Sequence, residues 1–199
     1  MKKKSIVVLA LLVCALLLLT TAGSLAYFTD ADTAHNVITS GNVDITLKEL
    51  MENDEGELVP YERRDSVMPG TEVSKIVQVE NVGSGDAWVR IIFREETDFG
   101  EDMLNDAEVM KQKYQLDFNT TDWEKHTEKG GETVYYYRHE LAPGETTKPL
   151  ITKVVFPAEM GNAYQNKNIS LDFMAQAVQV KNNGKAAMDA DGWPAIPKP

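Results

Sequence analysis

The sequence predicts an all-β fold, an antiparallel β-sandwich of jelly-roll type with at most one short helix. Three observations carry that expectation. Apolar side chains alternate with polar ones over many short stretches, clusters of Gly, Pro, Asn and Asp separate those stretches, and helical spacing appears only once. Alternation marks a half-buried strand because successive side chains of extended backbone point to opposite faces.

The elements follow in chain order. Val43, Ile45 and Leu47 alternate with Asp44, Thr46 and Lys48, a strand with one buried face. Residues 49–65 are heavily charged and read as a loop or irregular edge. Pro69-Gly70 makes a turn, after which Val73, Lys75, Val77 and Val79 share one face. The run Asn81-Val82-Gly83-Ser84-Gly85-Asp86 is turn chemistry, and beyond it Val89, Ile91 and Phe93 oppose Trp88, Arg90, Ile92 and Arg94. Residues 66–94 are therefore expected to form a hairpin.

Between Phe99 and Tyr114 the period changes, and Met103, Leu104, Ala107, Val109 and Met110 fall near helical spacing. Short strands are expected at 115–118 and 123–126, then a hairpin turn at Lys129-Gly130-Gly131-Glu132 and an aromatic strand over 134–138. Leu141-Ala142-Pro143-Gly144-Glu145 turns into a strand over 146–156. That corner echoes Val67-Met68-Pro69-Gly70, although Pro-Gly corners recur in any sandwich. The last strand is the cleanest: Ile169, Leu171, Phe173, Ala175 and Ala177 alternate with Ser170, Asp172, Met174, Gln176 and Val178. Residues 42–181 thus make the sandwich domain, and the small, Pro-rich stretch 182–199 reads as a flexible tail.

The other end carries an address. Lys2, Lys3 and Lys4 precede fourteen apolar residues, 6–19, and a small-residue exit ends at Ser24-Leu25-Ala26. This is a secretory signal over 1–26, with Ser24 and Ala26 at the −3 and −1 positions of the cut and Tyr27 as the new N-terminus. An uncleaved anchor is the alternative, since the run could just span a bilayer. Val13 before Cys14 does not fit a lipidation site. Cys14 is the chain's single cysteine, so the exported part holds no disulfide and no thiol nucleophile.

The 199 residues carry 31 acidic and 20 basic side chains, a formal charge of −11. Loss of the leader removes three of the basic residues and none of the acidic ones, taking the charge to −14. Nucleic acid and anionic lipid are thereby disfavoured as partners, because both need a basic face.

Across the junction, Ser24-Leu25-Ala26-Tyr27-Phe28-Thr29-Asp30, then Asn36, then Ile38-Thr39-Ser40-Gly41-Asn42-Val43-Asp44-Ile45 resembles the TasA/camelysin family of exported proteins cut by a SipW-type signal peptidase. The resemblance covers about twenty-five residues and departs from the pattern at His35. It implies a processing motif of Tyr27, Phe28, Thr29, Asp30, Asn36, Thr39 and Gly41. It further implies export from a Gram-positive-type bacterium, to the cell surface or extracellular matrix, of a sandwich able to polymerise into biofilm fibres.

No catalytic constellation is expected. A zincin requires two histidines one helical turn apart with a glutamate between them, and the histidines here are His35, His126 and His139. His139-Glu140 opens like that motif, but Pro143-Gly144 would break its helix. A zinc site assembled from His126, His139 and a distant carboxylate, as a camelysin-like metallo-endopeptidase would need, is the enzymatic alternative. There is no nucleophile elbow or phosphate loop, and the turns 53–57 and 189–192 complete no calcium loop. No cofactor and no metal are expected. A third reading is a monomeric binding module using Tyr135, Tyr136 and Tyr137, of which at most two share a face.

The leading expectation is a matrix subunit. Residues 27–38, released by the peptidase, add as a strand to the sheet edge of another copy.

Overall fold

The computed structural model describes residues 37–39, 43–62, 66–128 and 130–198. They form two five-stranded sheets packed face to face. The strands are β1 (Val37–Thr39), β2 (Ile45–Glu52), β3 (Leu58–Pro60), β4 (Glu72–Asn81), β5 (Ala87–Thr97), β6 (Gln115–Leu116), β7 (Trp123–Thr127), β8 (Thr133–Tyr137), β9 (Ile151–Val155) and β10 (Ile169–Gln179). Sheet 1 runs β1-β10-β5-β8-β7 and sheet 2 runs β3-β2-β4-β9-β6. Every pairing is antiparallel except that of β1 with β10. The all-β sandwich expected from the alternation is the fold found.

The core lies where the alternation places it. Ile45, Leu47, Val77 and Val79 of sheet 2 meet Val89, Ile91, Phe173 and Ala175 of sheet 1 in one apolar cluster. Full burial of a Val, Leu or Ile side chain contributes about 1.5–3 kcal/mol, and with no cysteine in the described residues this packing has no disulfide to help it.

Residues 66–94 do not form a hairpin. β4 belongs to sheet 2 and β5 to sheet 1, and the 82–86 link crosses the edge of the sandwich as an arch. Asn81, wholly buried, builds it: its amide nitrogen donates to the carbonyls of Gly85 and Leu141 at 2.9 and 2.8 Å, and its Oδ1 accepts from Gly83 N–H at 3.0 Å. The turn residues were legible, but their partner is the distant Leu141, which no local spacing announces. The chain makes the same crossing between β9 and β10, so β4 pairs with β9 and β5 with β10. Two strand pairs folded together across both sheets are the jelly-roll device.

The charged stretch after β2 is more ordered than expected. β2 continues to Glu52 and folds back on β3 through a tight turn in which Asn53 Oδ1 accepts from the N–H groups of Glu55 and Glu57. The two Pro-Gly corners share a geometry, with φ of 78° at Gly70 and 79° at Gly144, a left-handed backbone that glycine adopts freely. The helical spacing resolves into α1 (Glu101–Asn105) and α2 (Ala107–Met110), broken at Asp106, whose side chain caps α2 by accepting from Glu108 and Val109 N–H. Between Gly144 and β9, residues 146–150 run extended along β4, with Thr147 and Leu150 N–H donating to the carbonyls of Val79 and Val77.

The 182–198 segment is not loose. A 3-10 turn at Ala187–Asp189 buries Ala187 and Ala190 on the outer face of sheet 1, and Trp193 and Ile196 pack on the same face. The signal lay elsewhere, in β5 and β10, whose outward residues Trp88, Ile92, Met174 and Val178 are as apolar as their inward ones. A strand apolar on both faces is covered on both.

Candidate functional site

β10 organises the site. It pairs with β5 along its whole length, from Ile169 opposite Thr97 to Gln179 opposite Ala87. On its other side it takes β1 in parallel, with Val37, Ile38 and Thr39 opposite Ala175, Gln176 and Ala177. β1 therefore lies at a sheet edge, seated on its own chain. Alanine at both inward positions of that register leaves little side chain between the sheets there.

The other three edges are blunted. β3 is three residues long and ends in Pro60, which lacks the N–H that a pairing strand needs. β6 has two residues. β7 places Glu124, Lys125 and His126 along its length, and desolvating such charges opposes pairing. Of the four edges that the described residues form, only the one on β10 carries β1.

A charge lies inside the sandwich near that edge. Lys75, 2% exposed, points inward from β4; its ammonium donates to Glu49 Oε2 of β2 at 2.5 Å and stands 3.7 Å above the Tyr61 ring. Phe173 of β10 faces it across the gap, its ring centre 5.8 Å away. Alternation correctly put Lys75 on the face of Val73, Val77 and Val79, but period alone could not say that a lysine there would be buried.

The outer face of sheet 1 has its own centre. Arg90, 5% exposed, donates from Nε and Nη2 to Gln176 Oε1 at 2.9 and 2.7 Å, and from Nη1 to the Tyr136 hydroxyl at 3.0 Å. Its guanidinium lies 4.6 Å from the Trp193 ring, and Nη2 also donates to Pro194 O at 2.9 Å. The Tyr136 hydroxyl donates to Glu128 at 2.7 Å. Burial, then that hydrogen bond to a carboxylate, raises its pKa above the ordinary phenol value although Arg90 opposes the shift. Among the described residues no buried side-chain nitrogen or oxygen lacks a partner.

The residues expected to carry function distribute as follows. Ser24, Ala26, Tyr27, Phe28, Thr29, Asp30, Asn36 and Gly41 lie outside the described residues, as do the leader 1–26 and His35. Thr39 ends β1. His126, on β7, meets the Tyr136 ring edge-on. His139 Nε2 is 3.3 Å from Asp122 Oδ1, and its ring lies edge-on to Tyr137. Hydrogen bonding from Asn119 foremost holds the Asp122 carboxyl below its usual range against the opposing effect of burial, with His139 adding to the lowering. Among the described residues no three His, Cys, Asp or Glu side chains gather as metal ligands. Tyr135, Tyr136 and Tyr137 are all buried, the first and third in the main core and the second on the outer face. The alternation of the tyrosines is as expected, but they present no open aromatic surface.

No helix among the described residues is long and apolar enough to cross a membrane. Compared with protein-family models, curated proteins and solved structures, the chain has no match.

Proposed function

We propose that this protein is an exported structural subunit of the cell surface or extracellular matrix, assembling into fibres by donation of its N-terminal strand. One observation carries the reading: the N-terminal strand lies at a sheet edge, in a three-residue parallel pairing with β10. So short a pairing holds few backbone hydrogen bonds, and the same edge offers the same backbone pairing to the segment of a second copy. The sequence adds the trigger. The processing motif from Tyr27 to Gly41 contains β1, so cleavage after Ala26 frees the donor segment 27–38 at its N-terminal side.

In this mechanism backbone hydrogen bonds along β10 give affinity, and alternation of side chains gives register. Head-to-tail donation is a heterologous contact, and a heterologous contact that does not close into a ring grows a filament. The blunted edges of β3, β6 and β7 restrict addition to β10. The partners are thus a signal peptidase of SipW type and further copies of the chain.

N-terminal sequencing and sizing of the protein recovered from the culture medium test the proposal. A start at Tyr27 with salt-resistant assemblies of high mass is the expected result. A start at Tyr27 with monomer at all concentrations contradicts assembly, and an intact Met1 in the membrane fraction contradicts export by cleavage.

A further inference from the structure

Asn183-Gly184 is the chain's one Asn-Gly pair, and it stands at the root of the segment that covers the outer face of sheet 1. The fold requires both residues. Gly184 has a φ of 67°, and a Cβ on it would lie 3.0 Å from the backbone of Asp189 and Ala190. Asn183 is engaged at every polar atom. Its N–H donates to Val180 O at 3.0 Å and its carbonyl accepts from Trp88 Nε1 at 2.8 Å. Nδ2 donates to Gln179 O and Asp191 O, each at 3.0 Å, and Oδ1 accepts from Asp191 N–H at 2.7 Å. Aspartate has the same shape but no donor for those two carbonyls.

The pair that the fold requires is also chemically labile. Glycine places no side chain in the way of its own nitrogen, so Gly184 N, on losing its proton, can reach Asn183 Cγ once the side chain turns. The N–Cγ bond forms, the Cγ–Nδ2 bond breaks, and ammonia leaves with that proton. Water then opens the five-membered imide at either carbonyl, giving aspartate or isoaspartate. One water is consumed and one ammonia released, with no oxidant or cofactor. In the closed fold the carboxamide is tied on both sides, which keeps Cγ from turning onto Gly184 N. Reaction therefore waits on local opening of the segment.

The product cannot restore the closed state. A carboxylate at 183 puts acceptors where two donors had met the carbonyls of Gln179 and Asp191. Isoaspartate also lengthens the backbone at a turn where Gly184 lies against Asp189 and Ala190. Farther on, Arg90 still donates to Pro194 O and packs on Trp193, so the segment loosens from its root outward. Ala187 and Ala190 lift first from the cluster around Trp88 and Val178.

We propose that Asn183 is a modification site, converted spontaneously to aspartate and isoaspartate, and that the conversion is a one-way switch fixing the root of the 182–198 segment open. The switch lies within one molecule and does not rest on N-terminal strand donation.

The test incubates the full chain in mildly alkaline buffer and follows residue 183 by peptide mapping. Isoaspartate beside aspartate is the expected product, since only the imide gives both. The rate should be about tenfold or more below that of a free peptide of sequence 179–191, because only the open fraction reacts. Trp193→Ala removes an aromatic anchor of the segment and should bring the rate toward that of the peptide, as should sub-denaturing urea on the parent chain. Trypsin cutting after Lys185 should grow in step with conversion, and Asn183→Asp, folded by circular dichroism, should be cut at that rate from the start. The converted parent, folded before it reacts, gives the same reading whether or not Asn183→Asp folds. Four results overturn the proposal. They are a folded chain that reacts as fast as the peptide, no conversion in parent or Trp193→Ala while the peptide reacts fully, a rate that neither Trp193→Ala nor urea raises, and a converted chain that resists trypsin as the parent does.

Discussion

Lys75 is the residue on which the interior electrostatics turn. A lysine taken out of water needs its charge matched, and Glu49 at 2.5 Å with the Tyr61 ring at 3.7 Å does so. Lys75→Ala leaves Glu49 without that cation and opens a void, and is expected to lower stability by about 3 kcal/mol in urea unfolding. The double variant Lys75→Met, Glu49→Leu should lie within about 1 kcal/mol of the parent, since an apolar pair of similar volume replaces an ion pair at little net cost. A loss in the double variant equal to the sum of the losses in Lys75→Met and Glu49→Leu alone would show that the pair is not coupled. The buried tyrosines set a second expectation. Burial pushes Tyr135 from 10.0 up to about 12, and raises Tyr136 and Tyr164 as well. The unfolded chain loses these protons first, so the stability they confer is complete below pH 10 and falls as pH rises toward about 12. Thermal scans across that window should show a declining Tm.

At the scale of the elements, the 82–86 arch is what turns a run of strands into a sandwich. Asn81→Ala removes two donors and one acceptor and leaves the carbonyls of Gly85 and Leu141 without that amide, an expected cost of about 2 kcal/mol or more by chemical denaturation. Gly144→Ala meets no atom in its way, so its expected cost of about 1 kcal/mol is backbone strain alone. Much of this level was readable beforehand. The strands at Val43, Val73, Val89 and Ile169 announced themselves by alternation, and the β7–β8 turn by Gly130-Gly131. What stayed hidden was long-range. That the chain crosses to the other sheet after β4 depends on Leu141, that β2 folds back on β3 depends on Asn53 and Ser74, and that the 182–198 segment packs down depends on Arg90. The site was partly legible: the junction motif led to β1, but its seat on β10, a parallel pairing 138 residues downstream for Val37, has no local signature.

Across the whole molecule, the decisive quantity is the charge of −11, or −14 without the leader. Subunits of one sign repel, and salt shortens the reach of that repulsion from about 30 Å at 0.01 M to about 8 Å at 0.15 M. Assembly is therefore expected to quicken as salt rises over that range, followed by light scattering; slowing would mean that attraction between charges drives it. Growth by strand addition nevertheless depends on backbone pairing, so formed fibres should resist salt. In the proposed assembly residues 27–38 are the donor and β10 the acceptor. The most direct measurement is electron microscopy of two folded chains at equal concentration, one beginning at Tyr27 and the other at Gly41, each verified by circular dichroism. Fibres are expected from the first and isolated particles from the second. Fibres from the chain that begins at Gly41 would contradict it.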